Sequence, residues 1–102
     1  EAMNRILETG TPDGIFVASD LMASGAMGVL LAAGIRVPDD VAIVGFDDSP
    51  VALSTTPPLT TMRQPSLYQG QKMAGILLDR LAGRDPRRVT ILETELIIRE
   101  SA

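Results

Sequence analysis

Cysteine, histidine and tryptophan are all missing from this 102-residue chain, and its only aromatic residues are Phe16, Phe46 and Tyr68. Without cysteine there is no disulfide and no thiolate zinc site. Without histidine the commonest general base is gone, together with serine–histidine and cysteine–histidine nucleophile systems and the usual zinc and copper ligands. Most hydrolase chemistry is thereby disfavoured, and a non-enzymatic role is expected. Basic charge is also scarce: nine Lys and Arg against thirteen Asp and Glu give a net charge of -4. That balance opposes a surface that tracks phosphates, and the ring platforms that stack single-stranded bases are absent. Long apolar runs are lacking as well. Stretches such as Val29 to Ala33 fall far short of the roughly 20 residues a bilayer span requires. With no secretory signal legible either, a cytoplasmic protein without a membrane partner is expected.

What the chain does contain is enough apolar material, 45%, for one domain. Met3, Ile6 and Leu7 have helical spacing from the first residues onward, as expected of a span cut from within a longer protein. Gly10 and the turn cluster Thr11-Pro12-Asp13-Gly14 end that helix. The run Ile15-Phe16-Val17-Ala18 reads as a strand covered on both faces of a parallel sheet. Ser19 or Asp20 caps the next helix, Leu21 to Ala33, which is apolar around most of its circumference and stops at Gly34. Val41 to Phe46 forms a second buried strand ending on Asp47 and Asp48. Together these make one strand–helix–strand unit, whose right-handed crossover places Ser19, Asp20, Asp47 and Asp48 at one edge of the sheet.

Beyond it, Asp48-Ser49-Pro50 reads as a cap with proline at the first helical position of a short helix to about Leu53. Leu59 to Gln64 is expected to be extended, because Pro65 bars helical backbone at Gln64. Ser66-Leu67-Tyr68-Gln69 has the form of a capping box. It opens a long helix with an apolar stripe on Leu67, Ala74, Leu77, Leu78 and Leu81, closed by Gly83. A charged turn at 84–88 with Arg84, Arg87 and Arg88 follows, and then extended structure from Val89 to Ile98. Met22, Met27 and Met73 are expected to fill core gaps.

Ligands in open parallel sheets bind outside the carboxyl ends of the strands, where Asp20, Asp47 and Asp48 are placed. For Asp20 and Asp48 a role as helix cap or turn former stands level with a ligand-site role. Asp47, directly after Phe46, reads as a carboxylate able to accept two hydrogen bonds from vicinal hydroxyls. An alternative is that the three carboxylates hold magnesium for phosphoryl transfer, but the one lysine, Lys72, falls in the long helix, away from the strand ends. Val44-Gly45-Phe46-Asp47 has a single glycine and is no phosphate loop, so no cofactor is expected.

The order of these signals resembles the effector-binding core of the lac repressor family of bacterial transcription regulators. Pro12-Asp13-Gly14-Ile15-Phe16-Val17-Ala18-Ser19-Asp20 is followed at ordinary spacing by Gly34-Ile35-Arg36-Val37-Pro38-Asp39-Asp40-Val41 and Val44-Gly45-Phe46-Asp47-Asp48. Pro57-Pro58-Leu59-Thr60-Thr61 with Gln64, then Thr94-Glu95-Leu96 and Arg99-Glu100-Ser101, complete the series. The resemblance implies an α/β chain: a Rossmann-like three-layer half of a type I periplasmic-binding-protein-like fold, mostly parallel sheet with flanking helices. It implies that residues 1–102 are the C-terminal portion of the core. Residues 1–64 would belong to the C-terminal lobe, 65–84 to a helix packing on an N-terminal lobe outside this chain, and 85–102 to the return. It further implies that Asp47 and Gln64 bind a small-molecule effector, expected to be a sugar. Ser19 stands where many relatives have asparagine, and Asp20 braces the helix start with occasional ligand contact. Ser24, Gly28 and Thr55 lie on surfaces resembling those that pair two subunits, so a homodimer is implied, touching DNA only through an N-terminal head beyond this chain. A solute-binding receptor of a transport system shares the fold and is the second alternative.

Overall fold

A computed structural model describes residues 1–85 and 88–102. The elements run α1 (Ala2–Glu8), β1 (Gly14–Phe16), α2 (Asp20–Ala32), β2 (Ala42–Asp47), α3 (Val51–Ser54), β3 (Thr60–Arg63), α4 (Ser66–Leu81) and β4 (Glu95–Ile97). Pro86 and Arg87, part of the expected charged turn, lie outside the described residues. The chain divides into a first unit of residues 1–63 and 95–102 and a second of 64–94. The chain rejoins the first unit at Glu95.

The first unit is a four-stranded sheet in the order β1-β2-β3-β4. β1 and β2 pair in parallel, as do β2 and β3, while β4 runs antiparallel to β3. The sheet is therefore mostly parallel, as expected. β1 departs from expectation, because it lies at the sheet's edge and Phe16 is 65% exposed. Its apolar run is only half covered.

α2 begins at Ser19, whose extended backbone lets its side chain accept the Met22 N–H at 3.3 Å. It ends on Gly34 (φ 73°), where the Gly34 N–H donates to Leu31 O and the Ile35 N–H to Leu30 O. That is the paired closure a left-handed glycine permits. Ala23, Met27 and Leu30 turn inward and join Met3, Val41, Ile43, Ala52 and Leu59 in the core. The opposite face is bare: Leu21 is 73% and Leu31 76% exposed. Of the three methionines expected in the core only Met27 is buried; Met22 and Met73 lie at exposed helix positions.

The segment after β4 completes the sheet from below. Ser101 is fully buried, its hydroxyl donating to Ile43 O at 2.6 Å and accepting the Thr60 N–H at 2.8 Å. The Ile43 N–H in turn donates to Ser101 O at 2.8 Å. Ser101 thus fills the gap where β2 and β3 begin to pair.

Gly45, in the middle of β2, is required by close approach. A Cβ there would overlap Asp20 Oδ1 and lie 2.8 Å from Leu59 Cδ2, and both neighbours are buried. Gly45→Ala is expected to lower stability by about 1–3 kcal/mol, the usual range for overpacking. An unshifted urea midpoint would contradict this.

In the second unit the expected capping box does not form. Pro65 occupies the cap position, Ser66 is already helical, and its hydroxyl turns back to Gln64 O at 3.4 Å. The reciprocal bond needs a serine with extended backbone, one step before the helix. α4 buries none of its residues. Leu67, Leu77, Leu78 and Leu81 are all exposed, Leu67 by 79%. Among the described residues no helix is long and apolar enough to cross a membrane.

Candidate functional site

The carboxyl edge of the first unit is built from the ends of β1, β2 and β3, and four of its residues carry acidic or hydroxyl groups. Ser19 is half-buried and spends its side chain on the α2 cap. Asp20 is fully buried. Its Oδ1 accepts from the Thr61 hydroxyl at 2.5 Å and its Oδ2 from the Ser49 N–H at 2.7 Å. This is the bracing role expected of Asp20. It ties the start of α2 to β3 and to the loop after β2.

Asp47 ends β2 and is exposed. In register it stands opposite Arg63 of β3. Its φ is 115° and that of Asp48 is 54°, so two successive non-glycine residues hold positive φ. Such conformations cost on the order of 1–3 kcal/mol each and persist where the surroundings over-determine them.

Those surroundings centre on Asp48. Its Oδ1 pairs with Arg99 Nη2 at 2.5 Å and its Oδ2 with Arg63 Nε at 2.6 Å. Its N–H points to the Thr61 hydroxyl at 3.4 Å. Arg99 donates from Nη1 to Leu59 O at 2.8 Å, and its N–H donates to Thr60 Oγ1 at 2.9 Å. Arg63 also reaches Glu95 Oε2 at 3.5 Å. The hydrogen bond from Arg99 holds the Asp48 carboxyl below the ordinary aspartate range against the opposing effect of burial, and Arg63 adds to it. Asp48 is therefore an anchor between two guanidiniums and does not cap α3, whose cap position is Pro50.

With Asp20 and Asp48 committed in this way, the three-carboxylate magnesium arrangement does not assemble. Among the described residues no group of three or more metal-ligating side chains comes together. Phe16 and Phe46 meet edge to face beside this edge, centroids 6.3 Å apart and planes at 84°. Gln64 belongs to the second unit, where its carbonyl accepts the Ser66 N–H at 2.8 Å. Arg63 and Arg99 were not singled out by sequence. The only signal for Arg99 was its place in the ordered Arg99-Glu100-Ser101 motif.

A mostly parallel four-stranded sheet with helices alongside defines an α/β architecture. Over residues 1–102 the chain matches the family of periplasmic binding protein-like domains. The chain belongs to that family, among the transcription regulators of the lac repressor type. It is 48% identical over 98% of its length to the HTH-type transcriptional regulator CelR of Thermobifida fusca, of which it covers 30%. It is 45% identical to the lactose operon repressor of Rhizobium radiobacter, with 89% of this chain and 80% of that one aligned. Among solved structures it matches a CelR–cellobiose complex with a TM-score of 0.92 at 47% identity, covering 99% of this chain and 32% of that one. The lac repressor dimer bound to operator and the anti-inducer ONPF gives 0.87 at 33% identity, covering 97% and 35%. The chain thus spans about a third of the length of most of these proteins.

Proposed function

We propose that this chain is the C-terminal part of the effector-sensing and dimerising module of a DNA-binding transcription repressor, and that its effector is a sugar. One observation carries the reading. An exposed aspartate, Asp47, is held in a strained turn at the carboxyl edge of a domain 47% identical to one solved with cellobiose. A carboxylate there accepts two hydrogen bonds from neighbouring hydroxyls, the pattern a pyranose presents. Ser19 at the same edge adds a short hydroxyl, whose oxygen accepts the Met22 N–H and whose O–H can still donate. The named relatives are regulators, which favours this role over that of a transport receptor.

The exposed face of α2 supports a homodimer. Leu21 and Leu31 lie bare beside exposed Gly28 and half-buried Ser24, and Leu53 is exposed nearby in chain order with Thr55 half-buried. Small residues there permit close approach of a second copy. Effector binding would then act by shifting the population of two conformations that the paired subunits share. The apolar stripe of α4 is assigned to the N-terminal lobe of the complete protein, and DNA contact to a separate head.

Cellobiose titrated calorimetrically into the full-length protein tests the reading. Asp47→Ala is expected to weaken binding roughly ten- to a hundredfold, from lost charged hydrogen bonds of about 1.5–3 kcal/mol, with the fold intact. Unchanged affinity in Asp47→Ala would exclude Asp47 from the site.

A further inference from the structure

We propose that Arg99 is a positioning residue for Asp47, acting through Asp48, a role that rests on the reading of Asp47 as the effector-binding carboxylate. Asp47 and Asp48 form a two-residue segment at positive φ (115° and 54°), a conformation that aspartate tolerates better than most residues but that still costs free energy in two successive positions. The constraint comes from elsewhere in the chain. Asp20 holds the Ser49 N–H from the start of α2, and Arg63 grips Asp48 from β3. Arg99 grips it from the segment after β4.

Of the two guanidiniums on Asp48, that of Arg99 is the fixed one. Its side chain is 14% exposed, against 50% for Arg63. Its second terminal nitrogen is committed to Leu59 O and its backbone N–H to Thr60 Oγ1. Arg63 divides itself between Asp48 and Glu95 and faces solvent. Arg99 is thus the rigid point from which the Asp48 side chain is held, and a planar guanidinium can satisfy the Asp48 carboxylate and the Leu59 carbonyl together. Without it the Asp48 carboxylate keeps only the half-exposed Arg63 as an ionic partner. The segment is then less constrained and can relax toward negative φ, a rotation that would re-aim the neighbouring Asp47 carboxylate.

The alternative is an ion pair that stabilises the fold and does nothing for the ligand, and the two differ in what they move. The test uses cellobiose titrations and thermal unfolding of full-length wild type, Arg99→Gln, Asp47→Ala and the double variant. Positioning predicts that Arg99→Gln weakens cellobiose binding by about tenfold in the folded protein. It further predicts that the double variant binds no more weakly than Asp47→Ala alone, because residues acting on one contact are not additive. Arg99→Lys, which keeps the charge but cannot serve two acceptors in one plane, should lie between wild type and Arg99→Gln. It also provides the measurement if Arg99→Gln does not fold. A lowered melting temperature with unchanged affinity in Arg99→Gln, or in Arg99→Lys if only that variant folds, would overturn the positioning role while leaving Asp47 in the site. So would a loss fully additive with Asp47→Ala. No cellobiose binding by the wild type, or an unimpaired Asp47→Ala, would remove the effector reading and this proposal with it.

Discussion

Asp20→Ala is expected to destabilise the first unit by about 3–5 kcal/mol, a large share of the 5–15 kcal/mol that holds a typical domain together. The Asp20 carboxyl is fully buried and accepts from both the Thr61 hydroxyl and the Ser49 N–H. Alanine leaves two donors without an acceptor, at about 1–3 kcal/mol each, and opens a void beside Gly45, whose missing Cβ is what admits the carboxyl at all. Asp20→Asn keeps one acceptor oxygen and should lose roughly half as much. Urea denaturation of the full-length protein reads both values. A loss under about 1 kcal/mol for Asp20→Ala would mean that solvent or rearrangement replaces the brace.

The second large effect is expected at the far end of the chain. Ser101→Ala removes a buried hydroxyl that serves Ile43 O and the Thr60 N–H at once. Both orphaned groups belong to the backbone and cannot rotate toward new partners, so a loss of about 2–4 kcal/mol is expected. Effector affinity in the fraction that remains folded should be unchanged, since Ser101 lies at the opposite ends of β2 and β3 from Asp47. Parallel urea and calorimetric measurements separate the two quantities. A drop in affinity without a drop in stability would contradict the assignment of Ser101 to structure alone.

Much of the scaffold was legible because it is written in local signals. The apolar runs ending on Ser19-Asp20 and Asp47-Asp48 and the glycine after α2 mark the strand–helix–strand unit, and the structure places its elements within a few residues of those marks. Two kinds of information were not local. Sequence alone could not separate the three aspartates at the strand ends, since each suits a junction. What distinguishes them is the partner that arrives from elsewhere, Thr61 for Asp20 and Arg99 for Asp48, 41 and 51 positions away. Exposure was the other. The runs in β1 and α2 are apolar on all sides, but within this chain each has only one covered face, and composition cannot say what lies against the second.

The first unit is discontinuous in sequence: residues 1–63 wait for residues 95–102. During synthesis α2 and the strands from β1 to β3 emerge well before Arg99 and Ser101. In that interval the Thr60 N–H, both backbone groups of Ile43 and the Arg99 side of Asp48 have no native partner. The Asp47 turn therefore acquires its full set of constraints only once residues 95–102 have joined the unit. A chain stalled before residue 95 would carry Asp20, Asp47 and Asp48 without Arg99 and Ser101 to anchor their surroundings, and would be a ready target for proteolysis.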